Sequence, residues 1–386
     1  MTDLSSPAPT APPKRPFIRT PMALAGQTLL LAAVLLAVWA MGQNLDTNLA
    51  RRSLTFGFAY LMEPAGFDLS ETLLPFTGSQ NVLTAYAAGI GNTLRVAFAA
   101  MVLTTILGTL LGIARLAQSP TIRLLASIYV DVVRNIPVLV HVLIWYFCLS
   151  NLLPLASDQV QPLPGLYLSK EGLSIPVPIA GPGWGLFGGF VFIGLLAAWA
   201  VRRATGRFLP AAALFFGCLL AGVMVPVLLG MPPQFAHPQV GKFTIVGGAV
   251  LSPEYMALLG ALSMAASAYM AEIVRAGILS VQKGQWEAAA AIGLNRNQLL
   301  RFVVLPLSLR VIIPPYISLC LNITKNSSLA VAIGYPDLVS VTNTVMNQNG
   351  RAVEGITVLA SVYLSLSLLT SLIMNAYNRR WALRER

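Results

Sequence analysis

Charge is scarce in this sequence. Of its 386 residues only 10% are Asp, Glu, Lys or Arg, against about 25% in an ordinary soluble domain. So few charges cannot cover the surface of a 41.2 kDa globule wetted on all sides, which excludes a set of soluble domains. Cysteine is scarce too. Cys148, Cys218 and Cys320 all fall in apolar stretches without metal-ligand or disulfide spacing, and read as small apolar fillers. The two histidines, His141 and His237, lie in dissimilar surroundings and belong to no Ser/His/Asp or metal-ligand cluster. That argues against a membrane-embedded hydrolase. No GxxxxGK[ST] phosphate loop is present, so the sequence offers no such nucleotide site of its own.

What the chain has is apolar length: 56% hydrophobic residues and a mean hydropathy of +0.72. About 20 mainly apolar residues suffice to cross about 30 Å of hydrocarbon as a helix. Such runs occur at 22–41, 88–114, 124–150, 184–201, 209–230, 255–279, 306–325 and 355–377. The first is longer than the apolar core of a cleaved signal peptide, roughly 7–15 residues, and reads as a retained anchor. No alternation of period two runs through these segments, which excludes an outer-membrane barrel. The expected fold class is an all-α polytopic membrane protein of about eight transmembrane helices.

The net charge of +11 and pI near 9.9 would suggest nucleic acid in a soluble chain. Sorted by topology, 15 of the 25 Lys and Arg fall near one set of span ends, among them Lys14, Arg15, Arg115, Arg203, Lys283, Arg301 and Arg380. Nine of the 14 acids fall on the other side. Basic residues concentrate on the cytoplasmic side of membrane proteins, so both termini are expected in the cytoplasm, and the nucleic-acid reading falls away. The resulting organisation is a disordered cytoplasmic tail at 1–21, an anchor helix at 22–41 and an external segment at 42–86, periplasmic in a bacterial inner membrane. A first helical part follows at 87–150, then an inserted loop and helical pair at 151–252, a second helical part at 253–380 and a short tail at 381–386. Prolines 154, 162, 164, 176, 178 and 182 make 151–183 read as irregular.

The loop at 282–305 differs from the others. Residues 286–292 have strong helix propensity, Gly293 suits a left-handed cap, and Asn295 can cap a second stretch leading to Pro306. Glu287, the loop's single carboxylate, is expected in the first turn, where the helix dipole favours an acid. The small alanines would let another protein approach the backbone closely; an ordinary connector helix is the other reading.

Charged side chains inside spans are costly and normally face a bundle interior or water. Asp131 and Arg134 are spaced i,i+3, as are Glu272 and Arg275. Each could be a local ion pair neutralising its own burial, or could place one member on a translocation path. Pro314 and Pro315 are expected to interrupt the seventh span. Beyond them come Asn322, Thr324, Lys325, Asn326, Ser327 and Ser328. Broken helices beside polar residues are where transporters place substrate; a plain exit from the membrane is the alternative.

The run Glu287-Ala288-Ala289, with Gly284 before it, Gly293 after it and then Leu305-Pro306, resembles the EAA loop of ABC-importer permeases. Residues 269–277, Tyr269-Met270-Ala271-Glu272-Ile273-Val274-Arg275-Ala276-Gly277, are similar to the polar amino acid (histidine/glutamine-type) branch. So are Gly91-Asn92-Thr93-Leu94, Lys283-Gly284-Gln285 and Lys325-Asn326-Ser327-Ser328-Leu329-Ala330. The stretch 134–140 is similar to the family's Arg-Gly-Thr-Pro-Leu-Leu-Val and departs at Asn135 and Ile136, with a conservative Val138 for Leu. The resemblance covers about 88–150 and 253–380, which would be a five-helix type I permease core. The anchor and the inserted pair look most like permeases of general L-amino acid and glutamate/glutamine/aspartate/asparagine importers.

The resemblance implies a non-enzymatic subunit whose coupling residues are Gly284, Glu287, Ala288, Ala289, Gly293, Leu305 and Pro306. It implies no cofactor bound by this chain, with ATP and Mg on two partner ATPase subunits. A periplasmic amino-acid-binding protein is implied, with a second permease as mate, either a related subunit in a heterodimer or a second copy. The candidates for the substrate path are Asn322, Lys325, Asn326, Ser327, Ser328, Tyr269, Glu272, Arg275, Asp131 and Arg134. A secondary transporter or channel for a small polar solute is the alternative function. It would call for inverted repeats and intramembrane carboxylates in both halves, a symmetry that the inserted pair disrupts.

Overall fold

The computed structural model describes residues 21–51, 56–241 and 244–381. The tails expected at 1–21 and 381–386 lie outside the described residues except for Pro21 and Trp381. The N-terminal helix α1 (Pro21–Arg51) belongs to a unit of its own. Its apolar window Ala25–Asn44 is long enough to span and buries nothing within the protein. Leu29, Leu35 and Trp39 are exposed, as an apolar helix surrounded by lipid requires. The helix continues about ten residues beyond the expected anchor at 22–41.

The second unit begins at Tyr60. After a 3-10 turn at Ala59–Met62, α2 (Val82–Ala114) starts where the Asn81 side chain accepts the Thr84 N–H. Next come α3 (Pro120–Asn135) and α4 (Val138–Leu152), bent by 104°. The continuous span expected at 124–150 is therefore broken. The cause is Pro137: a residue preceding proline is pushed out of the helical region, and Ile136 sits at φ −97, ψ 128. Neither half reaches across a bilayer at about 1.5 Å per residue.

The 151–252 stretch is not irregular on its polar side. Strands β1 (Val160–Leu163), β2 (Leu166–Ser169) and β3 (Gly172–Ile175) follow one another. With β8 (Ala249–Leu251) they form an antiparallel sheet in the order β1-β2-β3-β8. Two small ribbons accompany it: β4 (Val177–Pro178) with β5 (Phe235–Ala236), and β6 (Gln239–Val240) with β7 (Ile245–Val246). Pro162 lies in the edge strand, Pro176 between strands and Pro178 at a strand end, where a missing N–H is tolerated. Gly165, at φ +81, makes the turn between β1 and β2.

Between the ribbons rise α5 (Pro182–Thr205) and α6 (Phe208–Leu228), packed chiefly on each other. Gly194 abuts Cys218, and Gly222 abuts Phe187 and Phe190. Ser252 caps α7 (Pro253–Leu279) by accepting the Tyr255 N–H. The chain then forms α8 (Lys283–Ala291), α9 (Arg296–Leu299), a π turn at Leu300–Val304 and α10 (Leu305–Asn326). A 3-10 segment at Ser327–Ile333, α11 (Leu338–Asn349) and α12 (Ala352–Trp381) complete it. Pro314 and Pro315 do not interrupt α10, contrary to expectation. Both prolines lie on its exposed side, where the rings have room, and the helix runs on through them to Asn326. Among the described residues seven helices are long and apolar enough to span, or eight if the bent α3–α4 pair counts as one.

The core surrounds α7, whose spanning window is 67% buried. Gly108 and Gly112 bring α2 into contact with it: a Cβ on Gly112 would sit 2.8 Å from the Ala271 carbonyl oxygen and from Val274 Cβ. Trp145 of α4 lies over Gly260, and Ile312 of α10 over Gly277. Small residues permit such approach where lipid offers no hydrophobic drive between helices. Gly112→Leu must push α2 off α7 and is expected to destabilise the chain by about 1–3 kcal/mol. Gly188→Leu, in open space on α5, is expected to stay within about 0.5 kcal/mol of the unaltered protein. Thermal unfolding in detergent compares the two; equal losses would refute the close contact.

Candidate functional site

Three residues, 280–282, separate the end of α7 from α8. α8 ends in a glycine cap. Gly293 lies at φ +80, its N–H donates to the Ala290 carbonyl at 3.0 Å, and the Leu294 N–H donates to Ala289 at 3.2 Å. This doubly bonded ending satisfies the last carbonyls of the helix. Asn295 then opens α9 with a reciprocal cap: its Oδ1 accepts the Gln298 N–H at 2.9 Å, and Gln298 Oε1 accepts the Asn295 N–H at 3.0 Å. Both the Gly293 cap and the Asn295 cap agree with the sequence reading, and Pro306 falls in the first turn of α10.

Under this loop Val281, Ala289, Leu299 and Val304 are buried, with Trp286 and Leu294 against them. Gly284, Glu287, Ala288 and Ala291 are exposed at helical spacing, and Ile292 beyond them is 76% exposed. Two expectations need correction. Ala289 faces inward, because it lies on the opposite side of the helix from Glu287, and it anchors the loop. Glu287 is not in the first turn, since α8 starts earlier, at Lys283. Leu305 and Pro306 are exposed where α10 begins.

The candidate path residues divide into groups. On α10, Asn322 and Lys325 are exposed, in line with Pro314, Pro315 and Ser318. Asn326 is half-buried. Ser327 is fully buried and donates to the Thr324 carbonyl at 2.7 Å. Ser328 donates to the Lys325 carbonyl at 2.7 Å. The two serines thus bond their own helix.

On α7, Glu272 accepts from Arg275 at 2.5 Å and also pairs with Arg115 at the end of α2. The local pair read from the i,i+3 spacing is therefore present, with an added cation from Arg115 at a span end. Asp131 and Arg134 form no such pair among the described residues. The Arg134 guanidinium stands 5.3 Å from the Tyr269 ring centre instead, a cation–π contact that draws it away from Asp131. Asp131 remains exposed.

At the strand-bearing end lies a polar knot that the sequence reading missed. Glu71 pairs with Arg95 of α2 at 2.5 Å and also accepts the Ser252 N–H. Arg95 lies 4.3 Å from the Tyr255 ring centre. Asn92 donates to the carbonyls of Glu71 (2.8 Å) and Pro336 (2.9 Å), and accepts the Leu73 N–H. Thr93 accepts the Leu338 N–H. The Gly91-Asn92-Thr93 motif and the charged Arg95 within an apolar run were the available signals.

Asp337, outside the spanning segments, caps α11 by accepting the Ser340 N–H at 2.8 Å. Its side chain is fully buried, and burial pushes its carboxyl up to about 7.

Together the fold and this site define a multi-pass membrane protein of the transport class. Residues 190–383 match the family described as binding-protein-dependent transport system inner membrane components, and the chain belongs to that family. Such permeases work with a separate ATPase and a binding protein. The chain is 42% identical to the general L-amino acid transport system permease protein AapQ of Rhizobium johnstonii over 371 residues, 93% of this chain and 92% of that one. It is 33% identical over 392 residues to the glutamate/glutamine/aspartate/asparagine transport system permease protein BztB of Rhodobacter capsulatus, covering 90% and 91%. The glutamine transport system permease protein GlnP of Escherichia coli aligns over 201 residues at 33% identity, 51% of this chain and 85% of its own.

The Asn295 cap and the buried Asp337 carboxyl can be tested separately. Asn295→Ala removes half of the reciprocal cap and is expected to cost about 1 kcal/mol, read as faster amide exchange at 295–299. A buried acid with a raised pKa stabilises the fold fully below its unfolded pKa and loses that contribution as pH rises through the folded value. Stability is thus expected to fall from about pH 4 to about pH 7 and then level off. Asp337→Asn, which keeps the cap, should remove that slope in thermal unfolding measured across the range.

Proposed function

We propose that the chain is the membrane-spanning subunit of an ATP-driven importer of polar L-amino acids, with α8 as the element through which ATPase subunits drive it. The observation that carries this reading is the outward stripe of α8, Gly284, Glu287, Ala288 and Ala291 with Ile292. It is small, apolar and singly acidic, capped at its C-terminal end, and backed by its own buried cluster. A surface of that kind suits a groove in another protein, and the cluster lets it act as a lever on α7 and α10 rather than fold away under load.

The α10 face supplies the second element. Asn322 and Lys325 are too costly to leave in lipid, so they face water or a partner. A second permease, a related subunit or another copy, would enclose that face, with the substrate path running between the two. Relatives named for general L-amino acid and for glutamate, glutamine, aspartate and asparagine transport support amino acids as cargo. The charge bias supports an orientation with α8 and both termini in the cytoplasm. ATP and Mg belong to the ATPase; this chain contributes no catalytic group. Binding energy released on ATPase closure with one bundle state would shift the access equilibrium.

The test is a reconstituted complex with its ATPase and binding protein, scored for labelled amino acid uptake with and without ATP. Glu287→Lys is expected to lower uptake about tenfold or more and to weaken co-purification of the ATPase. Uptake that is equal without nucleotide would favour a secondary transporter; full uptake and full ATPase retention by Glu287→Lys would remove α8 as the docking element.

A further inference from the structure

The Arg115–Glu272–Arg275 cluster joins two helices by charge close to the coupling loop. Glu272 and Arg275, one turn apart on α7, neutralise each other without help. Arg115 follows the last residue of α2 and adds a second cation to the same carboxylate. Its side chain is 13% exposed, and its Nε is buried without a hydrogen bond. A cation at this end of a span is tolerated, but Glu272 already has a cation partner in Arg275. What Arg115 adds is a link between two helices.

Position gives that link a use. Glu272 lies two turns before the end of α7, and three residues beyond that end the chain enters α8. Directly beside the cluster, Gly112 seats α2 on Ala271 and Val274, so the two backbones are already in contact. At its other end α2 carries Arg95 and Asn92, bonded to the 71–73 segment and to Pro336. A displacement of α8 therefore reaches α7 through the backbone, α2 through Arg115, and the strand-bearing end through α2.

We propose that Arg115 is a positioning residue that grips Glu272 and passes the movement of the coupling loop from α7 to α2. The proposal rests on α8 being the ATPase docking element. Arg115→Ala removes only the arm between helices and leaves the Glu272–Arg275 pair in place. In proteoliposomes holding the full complex and binding protein, ATP hydrolysis and amino acid uptake are measured together. The ATPase is expected to stay bound and to keep hydrolysing, while uptake per ATP falls roughly fivefold or more, the low end of coupling between sites. Arg115→Glu should behave likewise. The exchange Arg115→Glu with Glu272→Arg, which restores opposite charges between α2 and α7, should bring the ratio back to within about twofold, because residues in contact are not additive.

An unchanged ratio in Arg115→Ala, or an exchange no better than the single variants, overturns the proposal. So does failure of Arg115→Ala to assemble, which would make the arm a prop of the fold. Absence of ATP-driven uptake by the unaltered complex is a separate result and removes the permease reading itself.

Discussion

The contact between α2 and α7 at Gly108 and Gly112 is the constraint from which the rest of the bundle follows. Lipid is as apolar as leucine, so helices in a bilayer associate by fit rather than by escape from water. α7 meets each neighbour through a missing side chain. Glycines of α2 receive Met270 and Val274, Gly260 receives Trp145 of α4, and Gly277 receives Ile312 of α10. Alanines at 257, 261, 265, 266, 268 and 271 fill the remainder of its surface. Packing of this density leaves α7 little freedom to bend within the bundle. It connects β8 at one end with α8 at the other as a single rod.

Composition and apolar run length carried most of the bundle, because lipid imposes a length that no other environment requires. Geometry finer than a run was hidden. Residues 124–150 are apolar enough throughout, and an average over the window cannot register that Pro137 turns the chain by 104°. The prolines of 151–183 suggested an irregular loop, yet Pro162 occupies an edge strand, Pro176 a gap and Pro178 a strand end, so strands form around them. The pairs 131/134 and 272/275 share one spacing and part ways in space. Tyr269 offers Arg134 a ring, whereas Arg115 converges on Glu272. At the candidate site both caps could be read from Gly293 and Asn295. Which of two adjacent alanines faces outward could not, because that depends on the helix phase set by the buried Val281 and Leu299.

The inserted stretch adds to the bundle without rearranging it. α5 and α6 pack on each other through Gly194 and Gly222, and most of their remaining surface is apolar and exposed. Their attachment to the rest is through strands: β8 pairs with β3 and then runs straight into α7. Whatever touches that sheet therefore touches the rod directly, while the helical pair could change its lipid-facing residues with little effect on the core.

The knot around Asn92 has a consequence for synthesis. Asn92 and Thr93 bond the backbone at Pro336 and Leu338, 244 and 245 residues further along. At translation rates of about 5–20 residues per second, α2 leaves the ribosome roughly 10–50 s before its partners exist. Over that interval Asn92 has only its bonds to the 71–73 segment, and the Thr93 hydroxyl lacks its Leu338 donor. The early helices are therefore joined to the 71–73 segment before they are joined to the 336–338 segment. The bundle is completed only when the last third of the chain arrives.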